Sequence, residues 1–195
     1  MLQEKLKDHQ IILASGSPRR QQFFKDLGLD FEIRLKPVKE TYPPELKGVE
    51  ITNYLAEKKA AAFEGELSTG DLLVTSDTIV WHAGRALEKP LDPAQALEML
   101  KELSGKTHEV ITSVCFKTSE KLQTVHAITR VTFSKLEEDE MQFYIDTFRP
   151  FDKAGAYGIQ EWIGLIGVEH LEGSYFNVVG LPTHLVYQTL RQIAE

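Results

Sequence analysis

The sequence predicts an α/β fold in which a mixed sheet is flanked by helices. Apolar segments typical of buried strands alternate along the chain with segments of helical periodicity. The connections between them are short, and the sequence contains no internal repeat or Gly/Ser-rich linker. The chain has 195 residues, 42% of them hydrophobic, which is enough to bury one core. We therefore predict a single domain over residues 1–195.

The first elements are a strand and two helices. The apolar run at 11–14 predicts a buried strand, and the segment SGSPRR leads from it into a helix that ends at Gly28. Apolar residues at multiples of four predict a second helix over 49–63. Lys59 lies on the apolar line of that helix.

A second buried strand is predicted at 72–74, ending in the segment TSDT at 75–78. Asp92 and Pro93 then supply an N-cap and a first-turn proline for a helix that runs to Gly105. The remaining predicted elements are strands at 108–116 and 123–133, a helix at 137–148, strands around 158–168 and 175–179, and a final helix at 182–193.

Composition excludes several classes of protein. The single cysteine, Cys115, excludes an intramolecular disulfide and a cysteine-rich zinc site. The first ten residues are too polar for a signal peptide, and no apolar run approaches the roughly 20 residues of a membrane span. We expect a cytoplasmic protein.

The chain is acidic, with 22 Lys and Arg against 29 Asp and Glu and a net charge of -7. This charge opposes the binding of DNA or RNA by a general surface. It does not oppose a small anion in a pocket with a few cations, because charges are screened beyond about 10 Å.

Arg19 and Arg20 lie in the first turn of the predicted helix that Ser17 and Pro18 begin. The helix dipole already places positive partial charge there, so two arginines are locally unfavourable. A bound phosphate would reverse this balance, because backbone N–H groups and guanidinium groups would converge on its oxygens. The alternative is that both arginines pair with carboxylates on the surface.

Asp77 follows a buried strand, at the edge where open α/β sheets bind ligands. A divalent cation or an activated water would justify a charge in that place, whereas the alternative is an Asx turn over 76–78. Lys59 either contributes to the site or extends its stem along the helix to solvent. Lys89 is equally ambiguous, and Glu40 on its own is typical of a solvated carboxylate in a loop.

The sequence also limits the kind of metal. Its six histidines show no HExxH or similar spacing, which argues against zinc. A hard ion such as Mg²⁺ or Mn²⁺ would suit Asp77 and Glu40 better. Neither a P-loop nor a G-x-S-x-G elbow is present in the sequence.

Seven segments, spread in order over nearly the whole chain, together resemble the Maf family of nucleotide pyrophosphatases. They are ASGSPRR at 14–20, LAEKKA at 55–60, SDTIV at 76–80, LEKP at 87–90, SGKTHEV at 104–110, DKAGAYGIQ at 152–160 and GSYFNVVGLP at 173–182. The resemblance implies an inosine-triphosphatase-like (Ham1-like) fold with a cleft between two lobes. It also implies metal-dependent hydrolysis of a nucleoside triphosphate to the monophosphate and pyrophosphate, by a homodimer.

The resemblance also implies roles for individual residues. Asp77 matches the family's catalytic proton acceptor, and Asp77 and Glu40 are the expected ligands of Mg²⁺ or Mn²⁺. The residues expected to bind the phosphates are Ser15, Ser17, Arg20, Lys59 and Lys89. The residues expected to select the base are Arg19, Thr78 and Gln160.

Those last three residues resemble the branch that acts on dTTP and UTP. The branch acting on 7-methyl-GTP typically has a tryptophan in the first loop and SDQ in place of SDT. Two departures from the family stand near the expected site: Lys39, where a second acidic residue is frequent, and Glu161, where glycine is common.

Other readings stay open at this point. The nearest is a pyrophosphatase for 7-methyl-GTP or modified nucleotides. A different class is a nucleotide-binding regulator of cell division with weak hydrolysis. The features that favour the enzyme are an intact Asp77, the four cations Arg19, Arg20, Lys59 and Lys89, and Gln160.

Overall fold

The computed structural model describes residues 2–195, which form a mixed sheet flanked by helices. The strands are β1 (Gln10–Leu13), β2 (Glu32–Ile33), β3 (Asp71–His82), β4 (Arg85–Leu87), β5 (Thr107–Lys117), β6 (Leu122–Phe133) and β7 (Val168–Glu172). The helices are α1 (Leu2–Lys5), α2 (Pro18–Asp26), α3 (Val49–Ala61), α4 (Pro93–Leu103), α5 (Glu138–Phe148), α6 (Trp162–Gly167), α7 (Tyr175–Val179) and α8 (Thr183–Ile193), with a 3₁₀ turn at Ala154–Ala156. None of the helices in residues 2–195 has both the length and the apolar composition needed to cross a bilayer.

Parallel and antiparallel strands occur in the same sheet. The strand order is β2-β1-β3-β5-β6-β7, with β4 beside β3. β1 runs parallel to β2 and β3, whereas β4 is antiparallel to β3 and β7 is antiparallel to β6. The predicted mixed α/β class is therefore confirmed.

The chain divides into two compact units. The first contains the residues up to Asp77 together with 112–127 and 180–195, and the second contains 78–111 and 128–179. Strands β3, β5 and β6 contribute residues to both units. Two features therefore remain predictions: a single domain over 1–195, and a cleft between two lobes.

Strands β1 and β3 of the first unit are buried on both faces, which explains their uninterrupted apolar residues. Leu13 and Leu72 pack in a cluster with side chains of α2 and α8. Their neighbours Ile12 and Leu73 point the other way and pack in a second cluster with α3. Because successive side chains of a strand face opposite sides, a strand covered on both sides needs apolar residues at every position.

The strand predicted around 158–168 is wrong, because this segment forms a turn and helix α6 before β7 begins. Ile163 and Gly167 are buried while Leu165 and Ile166 are exposed. Burial therefore recurs every four residues, which is the spacing of a helix with one covered face.

The strand predicted at 175–179 is also wrong, because these residues form the short helix α7. Ser174 caps it: its hydroxyl accepts a hydrogen bond from the Asn177 N–H at 3.3 Å. The buried Asn177 amide then donates to Val110 O at 3.0 Å and to Thr129 Oγ1 at 2.9 Å. Tertiary hydrogen bonds thus override the strand propensity of an aromatic and β-branched segment.

His108 lies inside the core of the second unit, between the rings of Phe133 and Tyr157. It is 2% exposed, and its Nε2 lies 2.7 Å from the Tyr157 hydroxyl. Within residues 2–195 its Nδ1 has no hydrogen-bond partner. Burial, together with the charge of His82, lowers the pKa of His108 to about 3.

This burial makes the stability of the protein depend on pH. Between about pH 6.5 and 3 the unfolded chain binds a proton that the folded His108 does not bind, so the free energy of unfolding falls as pH falls. The loss is about 1.4 kcal/mol for each pH unit. Urea unfolding measured between pH 7 and 4 gives the free energy of unfolding as a function of pH. For His108→Gln this free energy should fall less steeply than for wild type, whereas His126→Gln, at an exposed position, should follow the wild type. Parallel curves for His108→Gln and wild type would contradict the assignment.

Candidate active site

The N-terminus of α2 forms the first part of the site. Ser17 caps the helix, its hydroxyl accepting from the Arg20 N–H at 3.4 Å, and Pro18 begins the first turn. The buried Ser15 hydroxyl accepts from the Ser17 N–H at 3.3 Å. The predicted helix start is therefore confirmed, and the two serines order the loop before it.

Arg20 is held by the backbone of two other segments. Its Nε donates to Gly180 O at 2.8 Å, and its Nη1 donates to Ser76 O at 3.1 Å. Burial lowers the pKa of Arg20 from its ordinary value, while the charges of Asp77 and Glu40 oppose that shift. The guanidinium group therefore ties the first turn of α2 to strand β3 beside Asp77.

Lys59 joins two carboxylates. Its Nζ lies 2.7 Å from Asp77 Oδ1 and 2.7 Å from Glu40 Oε1. Helix α3 supplies the lysine, β3 supplies Asp77, and the loop before α3 supplies Glu40. The alternative in which Lys59 extends to solvent is wrong, because its side chain is 17% exposed and ends on these carboxylates.

Asp77 lies within strand β3 and is 6% exposed. Both sequence-based placements, the strand end and the Asx turn, are wrong because β3 continues to His82. The parallel pairing with β1 ends at Val74, however, so Asp77 lies just beyond it. Burial raises the pKa of Asp77 above its ordinary value, and the Lys59 charge opposes the rise. The carboxylate is thus a stronger base than an exposed aspartate.

Lys58 fixes the loop that carries Glu40. Its Nζ donates to Thr41 O at 2.7 Å and lies 5.5 Å from the centre of the Tyr54 ring. Sequence reasoning missed this residue, although the adjacent lysines of LAEKKA were a signal. Neighbouring lysines on α3 thus hold two adjacent parts of one loop.

The structure brings one group of predicted site residues into the first unit: Ser15, Ser17, Arg19, Arg20, Glu40, Lys59 and Asp77. Thr78, Lys89 and Gln160 belong to the second unit. Lys89 and Gln160 are exposed there. The segments that carry them are joined by a backbone hydrogen bond from Gly155 N to Glu88 O at 3.2 Å.

A family model for Maf-like proteins matches residues 10–193. The chain belongs to the Maf family. It is 63% identical over 190 residues to the dTTP/UTP pyrophosphatase of Flavobacterium johnsoniae, covering 97% of this chain and 98% of that one. It is 49% identical over 189 residues to the dTTP/UTP pyrophosphatase of a Bacteroides fragilis strain, covering 96% and 98%.

Among solved structures, this Maf protein is similar to the Ham1 protein of Staphylococcus aureus. The TM-score is 0.51 at 14% identity, and the match covers 94% of this chain and 99% of that one. An identity this low supports the fold alone. The predicted Ham1-like architecture is confirmed in that sense.

The Maf resemblance implies a divalent cation, and Asp77 and Glu40 carry donor atoms of the kind that suits one. Within residues 2–195 no group of three or more His, Cys, Asp and Glu side chains is suitably placed to hold a metal ion. The carboxylates of Asp77 and Glu40 nevertheless converge on one cationic atom, Lys59 Nζ. Their oxygens are the donors that Mg²⁺ and Mn²⁺ prefer.

Proposed function

We propose that this protein hydrolyses dTTP and UTP to the nucleoside monophosphate and pyrophosphate. The observation that carries the proposal is a buried aspartate of raised pKa among cations, Asp77 beside Lys59 and Arg20. Relatives named dTTP/UTP pyrophosphatase, at 49–63% identity over almost the full length, support the choice of reaction.

The triphosphate is bound mainly through charge and backbone N–H groups. The start of α2, with Ser15, Ser17 and Arg20, offers donors at the positive end of a helix dipole. Lys59 and Lys89 add ammonium groups that neutralise further phosphate oxygens. Such contacts strengthen as charge develops on the non-bridging oxygens, so they favour the transition state.

Asp77 is the proton acceptor for the attacking water. As the water oxygen bonds to the α-phosphorus, its proton passes to the Asp77 carboxylate and the bond to the pyrophosphate oxygen breaks. Burial raises the pKa of Asp77 and so strengthens it as a base. Lys59 donates to the same carboxylate and keeps it oriented.

Asp77 and Glu40 would also hold the divalent cation, Mg²⁺ or Mn²⁺. When bound, such an ion supplies charge neutralisation for the phosphates and the departing pyrophosphate. Lys59 bridges these carboxylates, so a bound cation and the Lys59 ammonium group would compete for the same oxygens. Asp77 is a weaker base when it binds the cation, so its roles as metal ligand and as proton acceptor partly compete.

Base selection is assigned to Arg19, Thr78 and Gln160. The Gln160 amide can accept from N3–H and donate to O4 of uracil or thymine, a pattern that cytosine leaves unpaired. The protein would then remove unwanted or modified nucleotides from the cytoplasmic pool, as a homodimer. A 7-methyl-GTP substrate and a regulatory role are the alternatives that the following experiment tests.

Pyrophosphate release is measured from dTTP, UTP, CTP, GTP and 7-methyl-GTP with Mg²⁺, Mn²⁺ or chelator. We expect cation-dependent release from dTTP and UTP, with UTP preferred over CTP by at least about tenfold. Gln160→Glu should lower that preference, while Gln192→Glu, near the end of α8, serves as the matched control. Release from 7-methyl-GTP alone would overturn the base assignment, and no release from any nucleotide would favour the regulator.

A further inference from the structure

Gln160 sits on a tight turn. A backbone hydrogen bond of 3.0 Å from Glu161 N to Gly158 O closes residues 158–161. Of the two central residues, Ile159 is buried and Gln160 is exposed. The direction in which the Gln160 amide points therefore depends on how the two ends of this turn are fixed.

One tyrosine hydroxyl fixes both ends. Tyr144, on α5, is fully buried, and its oxygen accepts from Gly158 N–H at 3.0 Å. The same hydroxyl donates to Glu161 Oε2. Burial and the hydrogen bond to Glu161 raise the pKa of Tyr144, so the hydroxyl keeps its proton and continues to donate.

Glu161 is held from its other side by Lys153. Lys153 Nζ lies 3.0 Å from Glu161 Oε1 and 2.7 Å from Asp152 Oδ1. The Lys153 side chain is 9% exposed and that of Glu161 is 19% exposed, so this is a largely desolvated ion pair. Removing one partner of such a pair destabilises the fold, because the other charge stays buried and unpaired.

Two glycines show how closely the turn is packed. A Cβ on Gly158 would lie 2.9 Å from the Glu161 carboxyl carbon and 3.0 Å from the Lys153 stem. A Cβ on Gly164 would lie 1.8 Å from Ile159 O. The turn therefore has no room for a side chain at either glycine.

We propose that Glu161 is a positioning residue for base selection, acting with Tyr144 and Lys153 to orient Gln160. A side chain without a carboxylate at position 161 would leave the Tyr144 hydroxyl and Lys153 without this acceptor. These contacts fix the turn that carries Gln160. The inference rests on the proposed function, because it assigns Gln160 to the base.

The test combines binding and kinetics for Glu161→Ala, Glu161→Gln and Tyr144→Phe. We expect Glu161→Ala to raise KM for UTP about tenfold and to lower the preference for UTP over CTP by a similar factor, with kcat for UTP within twofold of wild type. Glu161→Gln still accepts from Tyr144, so it should recover part of both losses. Tyr144→Phe should resemble Glu161→Ala. Exposed positions of the same unit, Glu169→Ala and Tyr175→Phe, are the matched controls.

Binding of the non-hydrolysable α,β-methylene-UTP, measured by calorimetry, separates the two proposals. Wild type that binds this analogue without hydrolysing UTP would contradict the proposed function and still test the network, because Glu161→Ala should then weaken binding about tenfold. Variants with wild-type KM, base preference and analogue binding would overturn the positioning role. A fall in kcat alone, with base preference unchanged, would overturn it as well. A wild type that binds no uracil nucleotide would overturn both proposals.

Discussion

Asp77→Asn is expected to lower kcat for UTP by about 10²- to 10⁴-fold, the usual contribution of a general base. Asparagine keeps the shape of the side chain and an oxygen that accepts from Lys59, but it cannot take a proton from water. Glu40 remains to pair with Lys59, so the variant should stay folded. Steady-state release of pyrophosphate, with circular dichroism to confirm the fold, gives the result.

Asp92→Asn is the matched control for this substitution. Asp92 caps α4 by accepting from Gln95 N at 2.8 Å, and asparagine caps a helix about as well. The kcat of Asp92→Asn should equal that of the wild-type enzyme. An Asp77→Asn variant that keeps kcat within tenfold would exclude Asp77 as the base and leave fixed charge as the main source of catalysis.

Arg20→Ala is expected to lower the free energy of unfolding by about 2–4 kcal/mol, because it removes two charge-assisted hydrogen bonds. The carbonyls of Gly180 and Ser76 would lose their guanidinium donor beside the catalytic carboxylate. Activity should fall as well, since Asp77 and the first turn of α2 would no longer be tied together. Urea unfolding followed by circular dichroism measures the stability.

Lys25→Ala removes the same charge from an exposed position on the same helix, and it should change the free energy of unfolding by less than about 0.5 kcal/mol. Arg20→Lys keeps the charge, but a single ammonium cannot reproduce the fork, so an intermediate value is expected. Equal stabilities for Arg20→Ala and Lys25→Ala would show that the backbone contacts contribute nothing.

Local signals predicted the parts of the fold that depend on local structure. Asp92 and Pro93 predicted the start of α4, and the apolar run before Ser15 predicted β1, because caps and burial patterns act within a few residues. The strand prediction at 175–179 is wrong because the structure of this segment depends on distant contacts. Its helix is fixed by Asn177, whose partners Val110 and Thr129 lie far away in the chain.

In the candidate site as well, the contacts that depend on distant segments could not be predicted from the sequence. Spacing alone left Arg20 and Lys59 ambiguous, since helical position cannot tell which carbonyl or carboxylate a long side chain reaches. The structure resolves both, placing Lys59 between Asp77 and Glu40 and tying Arg20 to the backbone of β3. The Tyr144 and Glu161 contact could not be found from sequence, because it joins α5 to a turn 17 positions away.

The most direct test of the proposed reaction is hydrolysis of UTP in water enriched in oxygen-18, with mass spectrometry of both products. Attack on the α-phosphorus predicts one labelled oxygen in UMP and none in the pyrophosphate. Label in pyrophosphate, or inorganic phosphate and UDP as products, would place the attack on another phosphorus and contradict the proposed function.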